Sequence, residues 1–350
     1  MRGFGFLRAR ANNPSSRRIV IGIFVVIVVA LAAFPPPPLQ RAGHWARYRL
    51  TGYVPPPLVV GRGGRLFLGN HEGSPPNSLI EAVCGIGVDD AAIARAAAAV
   101  RPVLDAGRTT QRPYQFLMVP TAPRLYPEDL PAGQICSDFA ADRLDHALND
   151  ETLLYPVAAL QALKRKFDIV PSHHFHWAGE GPLRTAELTA KSMGLVKSLV
   201  LPLRPDNRAS DLNSFYPGLG LHDRIGTPDL RAAAVAQCWG DRCSPALPAA
   251  IVAFTRAGTG RLLVIADSFG DEIGGDFSEF AATVWLVRMN LAMLTPEAVV
   301  AALAGYRPDA IICVYHDAGA LALDPPSQAS LALAARLVGE AGLPPPPTDP

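Results

Sequence analysis

The chain has almost no excess of charge: 32 lysines and arginines face 31 aspartates and glutamates, a formal net charge of +1 over 350 residues. That balance excludes a polycation built to neutralise nucleic acid, and equally a partner held by bulk electrostatics. Any polymer it contacts must be gripped locally, by a few arginines and aromatic faces in a groove. Cysteine is scarce, at five residues, and nothing resembles the paired Cys-x-x-Cys knuckles of a zinc framework. Long apolar runs are also scarce. The clearest is at 19–34, and the chain is otherwise of ordinary globular composition, with 49% hydrophobic residues. Its length allows one large or two modest domains with a real core.

The run at 19–34 follows Arg2, Arg8, Arg10, Arg17 and Arg18 and ends at Pro35-Pro36-Pro37-Pro38, where proline is expected to stop any helix. It is slightly short for a spanning helix and long for the core of a signal peptide. Signal anchor and cleaved signal peptide both remain open, Ala30 and Ala32 offering a small-residue cleavage pattern. A buried core helix is the third reading, disfavoured by the arginines before it. Both leading readings put residues 39–350 outside the cytoplasm, by the positive-inside rule. The expected organisation is a tip, anchor or signal and stalk over 1–38, one domain over 39–343, and a disordered tail over 344–350. Cysteine usage fits an oxidising compartment: Cys238 and Cys243 are close enough for a short bridge, Cys84 and Cys136 are a possible second pair, and Cys313 sits in an apolar run.

Residues 39–57 read as basic and irregular. Two apolar runs flanking Gly61-Arg62-Gly63-Gly64 over 58–68 read as a hairpin. The alanine-rich stretch 89–106 reads as a helix starting at Val88-Asp89-Asp90. Further helices are expected at 157–167, 228–237, 277–283, 296–304 and 328–340. Strands are expected at 114–119, 199–203, 249–254, 262–266 and 310–315, the pair 249–254 and 262–266 forming a hairpin. The segment 285–289 reads as strand or continued helix. From about residue 110 strands alternate with helices, the pattern of an α/β sheet covered on its faces. Ligands in such sheets sit beyond the carboxyl ends of the strands.

Two segments carry candidate chemistry. In Ala266-Asp267-Ser268-Phe269-Gly270 a serine follows an apolar strand at once, so its hydroxyl would stand at the sheet's active edge and its own N–H could meet an oxyanion. The competing reading is a simple turn or helix cap. In Pro171-Ser172-His173-His174-Phe175-His176-Trp177, three of the eight histidines fall in four positions. If extended, His174 and His176 share a face, opposite His173 and Phe175. Imidazole is the natural base for a serine near neutrality. A metal site and a purely structural cluster are the alternatives.

Together these segments resemble the alginate O-acetyltransferase family, periplasmic SGNH-hydrolase-like proteins of exopolysaccharide acetylation. The matching elements come in order: Gly61-Arg62-Gly63-Gly64-Arg65-Leu66-Phe67-Leu68 as the entry hairpin; Val119-Pro120 with Leu125-Tyr126-Pro127-Glu128-Asp129-Leu130-Pro131; His174-Phe175-His176-Trp177 with Gly181; Ala266-Asp267-Ser268-Phe269; and Arg307-Pro308-Asp309 before the last strand. The resemblance runs from about 58 to 320. It implies an SGNH-like, mostly parallel sheet flanked by helices behind a membrane anchor, in the periplasm at the inner membrane. It implies Ser268 as nucleophile and His176 as base, with no cofactor and no metal. His174 stands where the family has its orienting aspartate, which leaves three readings: substitution by Glu180, Asp317 or Asp267, a weaker dyad, or a degenerate site that only binds polysaccharide. Asn290, Asp267 and Arg288 are the oxyanion or substrate-binding candidates. Trp177 joins them as a sugar platform, together with Trp239, Tyr216 and Trp285. The implied partners are a polysaccharide acceptor and a membrane-bound O-acyltransferase that delivers acetyl groups. A carbohydrate acetyl esterase would share the chemistry, with water as acceptor.

Overall fold

The computed structural model describes residues 37–70, 78–136, 138–195, 201–216, 218–229, 236–237, 248–255 and 259–342. The apolar run at 19–34, the Cys238 and Cys243 pair, Trp239 and the tail lie outside them. Among the described residues no helix is long and apolar enough to cross a membrane.

Eleven strands are described: β1 Leu58–Val60, β2 Leu66–Leu68, β3 Tyr114–Val119, β4 Leu153–Leu154, β5 Leu203–Ala209, β6 His222–Pro228, β7 Ala236–Gln237, β8 Ile251–Thr255, β9 Arg261–Ala266, β10 Thr283–Arg288 and β11 Ala310–His316. Seven of them form one sheet in the order β4-β3-β11-β9-β10-β8-β7. From β4 to β10 neighbours run parallel, and β8 and β7 close one edge antiparallel. The central strands β3, β9 and β11 are near-continuous apolar runs, as strands buried on both faces must be.

One face carries the helices Asp90–Thr109, Ala140–Leu148, Pro296–Gly305 and Pro325–Gly342, packed on Phe116, Leu263, Ile265, Ile311 and Cys313. Asp89 caps the first of these by accepting the Ala92 N–H at 2.7 Å. The helix Gly270–Asp276 packs on the opposite face and lies so close that a Cβ at Gly274 would come within 2.8 Å of Leu286, while one at Gly270 would overlap the Ala266 methyl. That explains why alanine is tolerated at 266: the facing residue has no side chain.

Several expectations need correction. The strands over 249–254 and 262–266 are no hairpin, because β10 lies between them, antiparallel to β8 and parallel to β9. β10 itself takes 283–288, so the segment 285–289 is mostly strand and the helical turn at Phe277–Glu279 is short. Pro228 ends β6 instead of opening a helix, and Ala236–Gln237 are extended. Residues 39–57, read as irregular, are largely helical: Pro37 and Pro38 open the helix Pro37–Thr51, since the first turn needs no donated N–H. The 58–68 hairpin is as expected, with Gly63 and Gly64 at positive φ in its turn. Cys84 and Cys136 are joined by a disulfide, and Cys313 is buried and free.

The chain divides into two compact units. The smaller holds residues 1–53 with 216–220, and within it the His44 ring stacks on Tyr216 at 4.1 Å. The larger holds the sheet, its helices and Ser268, His176 and their neighbours described below.

Candidate active site

The parallel register aligns Ala266 of β9 with Arg288 of β10 and Val314 of β11, so β9 and β10 finish together and β11 runs two residues further, to His316. Asp267-Ser268-Phe269 turns out of β9 into the helix Gly270–Asp276, leaving Ser268 exposed at the sheet's edge. Its backbone N–H has no acceptor among the described residues, while the Phe269 and Gly270 N–H groups are bonded to Asp267.

His176 reaches this serine across 92 positions of chain: its Nε2 is 2.9 Å from Ser268 Oγ. Its Nδ1 is 2.6 Å from Asp211 Oδ2, and Asp211 also accepts the N–H groups of Phe175 and His176, each at 3.0 Å. Burial pushes the Asp211 pKa up, but the His176 ring and these N–H donors outweigh it and hold the carboxyl below its ordinary value. A serine, an imidazole and an ionised carboxylate therefore stand in one hydrogen-bonded line.

The acid behind His176 is thus Asp211, which the sequence reading did not name. His174 does not fill that place. Its ring is buried, with Nδ1 3.6 Å from Asp211 and Nε2 3.9 Å from Asp223, beyond hydrogen-bond reach of either. Burial lowers its pKa against the pull of both carboxylates. Glu180 begins the helix Glu180–Ser192, Asp317 accepts from Thr121 and Tyr155, and Asp267 pairs with His316. None of these three is behind His176.

The histidine segment is a chain of turns, not a strand, and local tethers fix it. Asp223 accepts both the N–H of His173, at 2.8 Å, and its ring, at 2.7 Å. Asp223 lies in β6 opposite Arg208, and Asp211 lies just past β5, the two strands pairing in register from Leu203↔Pro228 to Ala209↔His222. The hairpin therefore brings a carboxylate to His173 and another to His176. The one signal in the sequence was Ser210-Asp211 after a strand, where Ser210 caps the turn by accepting the Leu212 N–H.

The entry hairpin braces the same segment from the other side. Buried Arg65 bonds Asp129 at 2.8 Å and the Val170 carbonyl at 2.7 Å, and lies over the Tyr126 ring. Tyr126 in turn donates to Asp168 at 2.9 Å and accepts the Ile169 N–H. Two of the sequence elements that carry the resemblance are thus scaffolding for His176.

Trp177 is no sugar platform: it is fully buried and its indole N–H donates to the Phe269 carbonyl at 2.9 Å. Trp285 stacks on Tyr306 at 3.9 Å, and Tyr216 belongs to the smaller unit. Arg288 bonds Asp271 at 2.7 Å, in the first turn after the serine. Asn290 is exposed just past β10, its carbonyl capping the Leu291 N–H at 3.0 Å, with its NH2 left to donate. Among the described residues no three His, Cys, Asp or Glu side chains group as metal ligands do.

No family model matches the chain, and neither does any curated protein. Among solved structures it is similar to the O-acetyltransferase domain of Pseudomonas putida AlgJ, at 14% identity over 78% of this chain and 98% of that one, TM-score 0.49. It is also similar to Bacillus cereus PatB1 carrying a sulfonyl adduct (11% identity, 66% and 90%, TM-score 0.48) and to Pseudomonas aeruginosa AlgX (11%, 85% and 70%, TM-score 0.43). These likenesses extend no further than a mixed α/β architecture with a mostly parallel sheet, and the role of every residue rests on its own geometry.

Proposed function

We propose that this chain is a serine acyltransferase of SGNH type that moves acetyl groups onto an exported polysaccharide. The observation that carries the acyl chemistry is the unbroken line Ser268 Oγ, His176, Asp211. His176 Nε2 takes the proton from Ser268 as Oγ attacks the acyl carbonyl of a donor ester. Asp211 fixes the tautomer that leaves Nε2 free to accept, and stabilises the imidazolium that forms. The oxyanion accepts from the Ser268 N–H, with the Asn290 NH2 as second candidate. Collapse breaks the donor's ester bond, His176 returns the proton to the leaving oxygen, and acetyl-Ser268 remains. A sugar hydroxyl then repeats the sequence in reverse, giving its proton to His176 and taking the acetyl group.

The polysaccharide acceptor, the acetyl-delivering membrane-bound O-acyltransferase and the periplasmic, membrane-anchored location are part of this proposal on the strength of the sequence resemblance. The alternative of a binding-only subunit drew its support from the histidine at position 174. With Asp211 behind the base, that support is gone. An acetyl esterase differs only in its second acceptor.

The test is acetyl release from a chromogenic acetyl ester by the wild-type chain, Ser268→Ala and His176→Ala, with mass detection of acetyl added to an oligosaccharide. Turnover by the wild type and loss of at least about 10³-fold in both variants is expected. Equal rates in all three would sink the acyl-serine reading, and acetyl passing only to water would make the enzyme an esterase.

A further inference from the structure

The reaction just described uses His176 and leaves unexplained a buried imidazole beside the nucleophile turn, that of His316. His316 ends β11, next to the carboxyl end of β9. Its Nδ1 is 2.6 Å from Asp267 Oδ2, and the same oxygen accepts the His316 N–H at 2.8 Å. The other oxygen of Asp267 accepts the Phe269 N–H at 2.9 Å. One carboxylate thus binds both neighbours of the nucleophile turn. The His316 ring is stacked on Phe269, centroids 4.9 Å apart and 16° from parallel. On the helix Asp317–Leu321, a Cβ at Gly319 would come within 2.8 Å of the His316 ring, so only glycine leaves it room. Phe269 is also in contact with His176, at 4.8 Å between ring centroids.

We propose that His316 is a positioning residue for the nucleophile: clamped between Phe269 and Gly319, it ties Asp267 to the end of β11 and so fixes the turn that presents Ser268 to His176. The inference rests on Ser268 being the nucleophile. The groups facing the ring are Asp267 just past β9, Asp317 beside it, and the uncharged rings of Phe269 and Phe175. Burial disfavours the imidazolium, but the Asp267 charge and hydrogen bond, with Asp317, raise the His316 pKa above its ordinary value. The ionic part of the clamp is therefore complete below the ordinary imidazole value and fades as pH rises through the higher folded one. Loss of the His316 charge is therefore expected to lower the rate on the alkaline side.

The experiment compares the full chain with His316→Ala and His316→Asn, whose amide can occupy the Nδ1 position without titrating. Hydrogen exchange at the Phe269 amide and the pH profiles of kcat and KM are read for each. His316→Ala should exchange at least tenfold faster and lose about 10²-fold in kcat with KM within twofold, the size expected for a misplaced reacting group. His316→Asn should recover most of both and lack the alkaline decline. Unchanged exchange and kcat in His316→Ala would overturn the proposal, and so would an alkaline decline that survives in His316→Asn. If His316→Ala does not fold, His316→Asn decides through its pH profile and its exchange. An inert wild-type chain would sink the acyl-serine reading alone, and the exchange ratio would still decide whether His316 holds the turn.

Discussion

At the scale of single residues, the site is decided by which carboxylate each imidazole meets. Asp211 is held ionised by the His176 ring and two N–H donors. Asp211→Asn keeps the shape but favours the wrong tautomer of His176, so kcat should fall about 10³- to 10⁴-fold with little change in melting temperature. His174→Ala, by contrast, removes a buried ring bonded to neither carboxylate, and its effect should show in denaturant stability more than in kcat. Asp276 is a different case. It is fully buried, and burial with the charges of Glu272 and Glu279 raises its pKa well above the carboxylate range. The unfolded chain releases that proton at lower pH than the folded one, so stability is complete below the ordinary carboxylate value and declines as pH rises above it. Asp276→Asn should therefore melt higher than wild type at neutral pH, with a gap that widens from pH 4 upward. A constant gap in melts taken across that range would contradict the assignment. Ser268 and His176 stood out in the sequence as a serine at a strand's end and a histidine in a cluster, both local patterns, and the family resemblance singled them out as nucleophile and base. Asp211 was not, since its only local mark is a helix-cap pattern shared by many turns.

At the scale of elements, close packing sets the nucleophile's position. The helix after Ser268 approaches β9 and β10 through Gly270 and Gly274. Gly270→Ala puts a methyl on top of the Ala266 methyl and must push either the helix or the turn outward. We expect a loss of about 1–3 kcal/mol in urea unfolding and a fall in kcat, whereas Ala266→Gly should leave both nearly unchanged or cost only glycine's backbone entropy. Restoration of kcat in the double variant Ala266→Gly, Gly270→Ala would identify the methyl overlap as the cause. The β5–β6 hairpin shows why element order alone misleads: it contributes no strand to the main sheet yet brings up both Asp211 and Asp223. The β8 and β9 segments look like a hairpin because a glycine turn joins two apolar runs. Inserting β10 between them gives each run a neighbour on that side, which only the whole sheet can reveal.

At the scale of the molecule, a cross-link closes a loop of chain that holds one strand of the main sheet. The Cys84 and Cys136 disulfide spans 52 positions and encloses the helix Asp90–Thr109 and β3. Replacing both cysteines with serine should cost about 2–4 kcal/mol, mostly by freeing the unfolded chain, and should leave kcat unaltered at temperatures where the protein stays folded. Denaturant titration of the wild type and the variant under non-reducing conditions measures this directly.

The sequence by itself determined the strands at 114–119, 262–266 and 310–315, the helices over 89–106, 296–304 and 328–340, the hairpin at 58–68 and the serine at a strand's carboxyl end. Each of these depends on hydrophobic period, glycine and proline chemistry or a turn, all readable within a dozen residues. Only the tertiary structure decided the order of strands, the burial of Trp177, the pairing of His316 with Asp267 and the choice of Asp211 over His174. Those depend on which segments, tens of positions apart, compete for the same hydrogen bonds and the same space. A linear chain does not state that competition, and folding resolves it.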